Sequence, residues 1–404
     1  MGKRSLGINV LDAAKERIIY TFDQFPRIYV SFSGGKDSTI MLHLVMDEAI
    51  RRGRKVGVLF LDLEGQYKLT IDHIQAMYNL YAEHIDPYWI ALPIHLRNAV
   101  SMYQHHWITW EPGRENIWIR KPPEIAIIDQ NYFPFYRYKM EFEDFVSAFG
   151  HWYSQNKLCA CFVGIRTGES LNRWRTIAST KKQTIDGYKW TTWVGESLYN
   201  IYPIYDWIET DLWIYHGKTG KPYNKLYDRM YQAGLTLHQM RICQPYGDDQ
   251  RKGLWLFHLI EPETWARIVA RVNGANSGAL YAKESGNILG NLRISKPEGH
   301  TWQSFAELLL ESLPPKTKEH FKNKIAVFIK WYQDRGYPNG IPDERPYKQE
   351  AAREVPSWRR ICKMLLRNDY WAKGIGFSQH KTAAYEKYLK IMKKRRQQWG
   401  IYPP

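Results

Sequence analysis

Ile8, Val10, Leu11, Ile18 and Ile19 recur at helical spacing and predict a helix over residues 8–24. A β-branched, aromatic run at 27–32 reads as a strand. Residues 39–51 return to the helical period, with Ile40, Met41, Leu44, Val45 and Ala49 along one face. The short apolar run at 56–62 suits a strand buried on both sides of a parallel sheet. Another helix is expected over 68–85 and a third strand over 88–92. This β-α-β-α rhythm predicts an α/β fold, a doubly wound parallel sheet wrapped by helices.

Residues 103–155 break the rhythm with WITWEPGRENIWIRKPPE and the aromatic tract NYFPFYRYKMEFEDF. They read as an insertion that lids or flanks a site. CACFVGI resumes the pattern as a strand, a helix follows from about Glu169, and YNIYPIY is a short strand before a helix near Thr210. Beyond about residue 220 the pattern is mostly helical. The expected division is an α/β domain over 1–235 and a mostly helical, basic domain over 236–404. The breaker-rich segment 338–346 is a loop or linker.

A chain of 404 residues exceeds the roughly 150 expected of one domain, which agrees with that division. No stretch approaches the roughly 20 apolar residues of a membrane helix. The N-terminus lacks the apolar core of a signal peptide, so a cytoplasmic protein with no membrane partner is expected. Four cysteines, Cys159, Cys161, Cys243 and Cys362, do not make a disulfide framework. No CxxC pair is present, and no iron–sulfur cluster is expected. Cys159 and Cys161 alternate along a strand, which puts them on one face. With 57 Lys and Arg against 41 Asp and Glu, the net charge is +16, a field that attracts nucleotides or nucleic acid.

The sharpest local signal is SGGKDS, Ser33 to Ser38, between the first strand and its helix. Ligands of parallel sheets sit beyond the carboxyl ends of the strands. Gly34 and Gly35 allow a tight turn and a close approach. The helix that starts near Asp37 or Ser38 points unpaired amides and a positive dipole end at the turn, which favours phosphate. Ser33 and Ser38 add hydroxyls and Lys36 adds a positive charge. The loop is neither a Walker A sequence nor a dinucleotide GxGxxG.

The hexapeptide resembles the pyrophosphate loop of the ATP pyrophosphatase (PP-loop) superfamily, which includes sulfonucleotide reductases and tRNA thiolation enzymes. The resemblance implies an adenine nucleotide alpha hydrolase-like fold. It also implies that ATP, or a PAPS- or APS-like nucleotide, rests its phosphates on Ser33, Gly34, Gly35, Asp37, Ser38 and Thr39. Asp37 would orient the loop or reach Mg2+, since a carboxylate beside a polyphosphate needs such a cation. VGIRTGESLNRWRT, residues 163–176, resembles the second phosphate-contacting motif of sulfonucleotide reductases. It implies roles for Gly164, Arg166, Glu169 and Arg173. The arginines can fork onto phosphate or sulfate oxygens, and Glu169 and Arg173 can pair four residues apart on a helix. Asp62 and Glu64 follow the second strand, whose end faces adenosine in this family. YPIYDWIETDLWIYH and KPYNKLYDRMYQAG resemble its later strands and helices.

The chain departs from the reductases in its cysteines, and the paired cysteines of their cluster-bearing members are absent. The reductases attack sulfate with a cysteine near the C-terminus, and no cysteine follows Cys362. Cys243, in RICQPYGDD, stands near a family cysteine position without a partner. ATP cleavage between the α and β phosphates is therefore expected, with adenylyl transfer to an acceptor. Lys36, Asp37, Arg166 and Arg173 are the catalytic candidates. A sulfonucleotide reductase and a non-catalytic nucleotide sensor are the alternatives.

Asp248, Asp249, Arg251 and Lys252 are candidates for a second site. VPSWRRICKMLLRNDYWAKGIGFSQ and the terminal KKRR suit contacts with DNA or RNA phosphates. Over the whole chain, SGGKDST, GIRTGESLNRWRT and QPYGDDQRKGLW resemble the IbrA-type family of PAPS-reductase-like co-activators of prophage gene expression. That resemblance implies a ParB/sulfiredoxin-like partner and a link to nucleic-acid sulfur modification or phage defence.

Overall fold

The computed structural model describes residues 7–248, 253–276, 294–377 and 383–401. The chain forms two compact units. The first comprises Met1–Leu96, Trp107–Pro245 and Leu256–Val272; the second comprises Arg97–His106, Tyr246–Trp255 and Asn273–Pro404.

The first unit opens with α1 (Val10–Gln24), whose N-cap Asn9 accepts a hydrogen bond from the Leu11 amide at 2.8 Å. Then come β1 (Arg27–Ser31), α2 (Lys36–Arg51), β2 (Val56–Leu61), α3 (Lys68–Leu80) and β3 (Ile85–Ile90). Strand β3 begins three residues before the expected 88 because all six of its residues pair with β2, from Ile85 opposite Val56 to Ile90 opposite Leu61. A small sheet in the order β5 (His106–Ile108), β4 (Ile94–Arg97), β6 (Met140–Glu141) follows, and then α4 (Phe142–Ser154).

The rhythm resumes with β7 (Cys159–Val163), α5 (Leu171–Ala178), β8 (Thr191–Gly195) and β9 (Leu198–Ile201). Helices α6 (Glu209–Thr219), α7 (Leu226–Gln232), α8 (Leu254–Ile260) and α9 (Pro262–Arg271) come after them. The main sheet runs β3-β2-β1-β7-β9-β8. Its strands are parallel except β8, which pairs antiparallel with β9. That hairpin was not legible in the apolar pattern. Strand β9 ends at Ile201, short of the expected YPIY, and Pro203 just beyond has no amide to extend a ladder. With helices on both faces, Ile28, Val30, Val56, Val58, Phe60, Ala160 and Phe162 are all buried, which is why these strands read as continuous apolar runs.

Beneath α2 the core holds a histidine network. His43 Nε2 bonds the Pro222 carbonyl at 2.8 Å, so this nitrogen carries the proton and Nδ1 accepts from the Tyr81 hydroxyl at 2.6 Å. His73 Nε2 lies 3.0 Å from Thr39 Oγ1. Burial is the main force that pushes both imidazoles down to about 4. The unfolded chain takes up these protons near pH 6.5 and the folded chain does not, so stability falls as pH drops from about 6.5 to 4. The expected slope is about 1.4 kcal/mol per pH unit for each histidine. Urea melts across this range check it, and His73→Leu should flatten the curve.

The second unit is helical, with helices at Trp302–Glu311, Pro315–Gln333, Tyr347–Ala351, Trp358–Leu366 and Ala383–Gln398. Phe305, Phe321, Ile325, Phe328, Ile361 and Leu365 lie in its core. The segment 338–346 is a loop within this unit. Its Ile341 is buried, and Asp343 caps Trp302–Glu311 by accepting from the amides of Trp302 (3.0 Å) and Gln303 (2.9 Å). Arg359 and Arg360 of SWRR are buried as well. Arg359 pairs with Glu344 and Glu350, and Arg360 donates to the carbonyls of Val355 and Gly374. These two cations serve the fold, while Lys393 and Lys394 of KKRR are exposed. No helix among the described residues is long and apolar enough to cross a membrane.

Candidate functional site

The site lies in the first unit, at the carboxyl end of β1. Gly34 has φ +71°, and a Cβ there would meet the Ile74 side chain at 2.8 Å. Only glycine fits both the backbone angle and the space. Gly35 caps α2, which starts at Lys36, so the lysine and Asp37 belong to the first helical turn. The Ser33 and Ser38 hydroxyls lie 3.0 Å apart, and Ser38 donates to the Gly35 carbonyl at 3.1 Å. Among the described residues, the amides of Gly34, Gly35, Asp37 and Ser38 have no hydrogen-bond partner. Asn224 braces the loop by donating to the Gly34 carbonyl at 3.0 Å, and the Tyr227 hydroxyl accepts from the Lys36 amide at 2.9 Å. Thr39 is fully buried against His73.

The 163–176 motif packs directly onto this loop. A Cβ on Gly164 would come within 3.1 Å of the Ser38 backbone, so any other residue would push the two segments a few tenths of an ångström apart. Arg166 follows, 1% exposed, and its Nε donates to Asp37 Oδ1. Its Nη2 is 3.2 Å from Glu209 Oε1, and its Nη1 reaches the Trp207 carbonyl at 3.4 Å. Glu169 stands between the two arginines, 3.9 Å from Arg166 Nε and 2.7 Å from Arg173 Nε. Lys36 is turned to the same carboxylates. Its Nζ donates to the Met240 carbonyl at 3.1 Å and lies 3.6 Å from Glu209 and 3.7 Å from Asp37. Lys36, Asp37, Arg166, Glu169 and Arg173 therefore form one alternating network.

Burial pushes Glu169 up despite Arg173. Burial also opposes charge on Glu209, but Arg166 and Lys36 more than offset it and hold that carboxyl below its ordinary value. Glu209 belongs to neither of the two phosphate motifs. Its signal was an acid at the start of the helix that follows β9, inside the YPIYDWIETDLWIYH stretch. Asn224 and Tyr227 belong likewise to KPYNKLYDRMYQAG, where nothing in the local order marks them as partners of the loop.

Asp62 and Glu64 are placed together beyond β2, and neighbouring groups fill their oxygens. Asp62 accepts from Arg120 Nη2 and from Trp89 Nε1 (2.8 Å). Glu64 accepts from the amides of Trp110 (2.7 Å) and Ile119 (3.1 Å) and from Arg271 Nε (2.7 Å). Trp110, Ile119 and Arg120 come from the expected insertion, which flanks this strand end. Cys159 and Cys161 are buried on β7, where burial pushes both thiols up, Cys161 to about 12. Cys362 is buried too, whereas Cys243 is half-buried. Asp248 belongs to the second unit, and Asp249, Arg251 and Lys252 lie outside the described residues. Among the described residues, no group of three or more His, Cys, Asp or Glu is arranged to hold a metal.

A mostly parallel sheet with a glycine turn feeding a helix, and an arginine motif seated on that turn, defines an α/β protein of the doubly wound class with a candidate anion site on its first loop. Residues 27–233 match the phosphoadenosine phosphosulfate reductase domain, and the chain belongs to that family. Residues 234–344 and 339–386 match a domain of unknown function, DUF3440. Uncharacterized protein YbdN of Escherichia coli (strain K12) is 47% identical over 406 residues, 99% of this chain and 98% of that protein. Uncharacterized protein MJ0066 of Methanocaldococcus jannaschii is 28% identical over 208 residues, covering 50% of this chain and 34% of that protein. Among solved structures, Candida glabrata FMN adenylyltransferase with FMN and the ATP analogue AMPCPP aligns at 17% identity and TM-score 0.32. The alignment covers 54% of this chain and 59% of that one. Phosphoadenylyl-sulfate (PAPS) reductase from Candida auris, a phosphate complex, aligns at 13% identity and TM-score 0.30, over 61% of this chain and 99% of that one.

Proposed function

We propose that this protein binds ATP or a related adenine nucleotide through the Ser33–Ser38 loop and cleaves it between the α and β phosphates to adenylate an acceptor. The observation that carries the reading is the set of four unpartnered amides, Gly34, Gly35, Asp37 and Ser38, at the start of a 16-residue helix, with two serine hydroxyls beside them. Such a set matches the oxygens of a polyphosphate. In the reaction an acceptor oxygen bonds to the α-phosphorus, the bond to the bridging oxygen breaks, and pyrophosphate leaves with the electron pair. The acceptor's proton passes to solvent or a nearby carboxylate. Arg166 and Arg173 exchange part of their carboxylate contacts for phosphate oxygens, and Lys36 keeps the network neutral. The Asp37 carboxylate fits one ligand position of Mg2+, the remaining ligands being phosphate oxygens and water; when bound, the ion would offset charge on pyrophosphate.

In this reading the acceptor is nucleic acid, modified with sulfur or marked in phage defence. The IbrA-type resemblance supplies a ParB/sulfiredoxin-like partner and co-activation of prophage genes. Pyrophosphate release from ATP tests the reaction. Asp37→Ala should lower release at least roughly a hundredfold, the scale of losing one preorganised electrostatic group, with nucleotide binding retained. Calorimetry that finds no affinity for ATP or PAPS overturns the reading. One observation favours a reductase as the second reading. Half-buried Cys243 lies three residues beyond Met240, whose carbonyl accepts from Lys36 Nζ at 3.1 Å. Sulfite release from PAPS that Cys243→Ser abolishes would select it.

A further inference from the structure

Helix α5 is unusual for its position. Of its eight residues, Ile177 alone is buried, while Leu171 is 60% and Trp174 51% exposed. Leu171, Trp174 and Arg175 stand at spacings of three and four, so they form one outward stripe. A tryptophan half open to water on a short helix gives only part of its surface to packing, and its large flat face is suited to stacking.

The helix is also anchored to the phosphate loop. Ser170 caps it by accepting from the Arg173 amide at 3.3 Å. Glu169, the residue before the cap, is tied to Arg173 and receives Arg241 Nη2 on its carbonyl at 2.7 Å. Gly164 places the same segment against the Asp37–Ser38 backbone. Trp174 therefore sits about 4.5 Å along the helix axis from Leu171, at a fixed offset from the proposed site of reaction.

The sequence from the start of this helix onward is one-sided in charge, although Arg173 is already paired with Glu169. Residues 171–189 carry Arg173, Arg175, Lys181, Lys182 and Lys189 against a single acid, Asp186, which accepts from the Tyr20 hydroxyl. Cations interleaved with an exposed ring fit a polymer that alternates phosphates with flat bases. A duplex hides its base faces inside the stack, whereas a single strand offers them.

We propose that the outward stripe of α5 is a docking platform for single-stranded nucleic acid, with one base stacked on Trp174 and the adjoining phosphate against Arg175. This rests on the reading that the acceptor at the neighbouring loop is nucleic acid, and it assigns strand recognition to α5 rather than to the terminal KKRR.

The test uses the full chain and fluorescence anisotropy with labelled oligo-dT and a mixed-sequence RNA. Trp174→Ala should weaken strand binding roughly tenfold or more, the scale of one lost stacking partner, and Trp174→Phe should keep most of it. Arg175→Ala should lower the slope of log affinity against log salt by about 0.7, one phosphate of a single strand. ATP affinity, measured by calorimetry, should stay within about twofold in all three. Retention of full strand affinity by Trp174→Ala, or its loss in Lys393→Ala/Lys394→Ala alone, overturns the proposal. Equal competition from duplex DNA or polyglutamate overturns it as well, since charge alone would then explain binding. A loss of ATP affinity in Trp174→Ala overturns it by giving the ring to adenine. Strand binding that depends on Trp174 in a protein with no ATP affinity would support the platform while removing the nucleotidyl-transfer reading.

Discussion

Arg166→Ala should be among the most damaging single substitutions in the first unit. The guanidinium is buried between Asp37 and Glu209, and removing it leaves two carboxylates facing each other near Lys36. Breaking a buried pair by deleting one partner typically costs about 3–5 kcal/mol, because the remaining charge stays buried. A loss of that size should appear as a lower urea midpoint with little change in slope. Pyrophosphate release should vanish with it. Arg166→Lys should fall between the two, since an ammonium keeps the charge but cannot fork onto two carboxylates. The deficit should also depend on pH. Burial raises the Glu209 carboxyl, while the Arg166 charge and hydrogen bond lower it more. In the native protein Glu209 therefore stabilises the fold above its unfolded pKa, and that contribution is lost as the pH falls. Without Arg166 the folded pKa rises, and protonation relieves the repulsion. The gap between native protein and variant should narrow on acidification through the carboxylate range. A gap that stays constant with pH would contradict this placement of charge.

Arg271→Ala is expected to cost about as much, again about 3–5 kcal/mol, with a different functional result. Glu64 has no exposed surface, its backbone is left-handed at φ +60°, and both its oxygens are engaged. Arg271 joins that carboxylate to the Ile108 carbonyl at 2.8 Å. The pair clasps α9 and the insertion to the end of β2. The double variant Glu64→Gln/Arg271→Met removes both charges and should recover a large part of the loss. ATP affinity in that double variant decides the role of Glu64. Affinity close to native assigns it to the clasp, and a large loss assigns it to the nucleotide. Chemical denaturation and calorimetry on the same preparations give both answers.

These two arginines differ in how visible they were. Arg166 stood in a recognisable local motif with Gly164 and Glu169, although its closest partner, Asp37, is 129 residues away. Glycine, an acid and a helix start act within one turn of chain, so local order carries the meaning. Arg271 and Glu64 are 207 residues apart, and nothing along the chain marks either as the partner of the other. Glu209 is 43 residues from Arg166 and was missed for the same reason. The antiparallel β8 escaped notice because its exposed Trp193 and Val194 blur the alternation by which a half-buried strand is recognised.

By itself the amino-acid order determined the parallel α/β core, the glycine turn at Ser33–Ser38 and the arginine motif that accompanies it. Each of these follows from backbone geometry and side-chain period over a few residues. Tertiary structure decided which charges meet. It set Lys36 and Arg166 among carboxylates, closed Glu64 and Asp62 behind the insertion, and left Trp174 half exposed on the helix that follows the arginine motif. Such pairings depend on how distant segments pack, and burial then fixes how strongly each charge is felt.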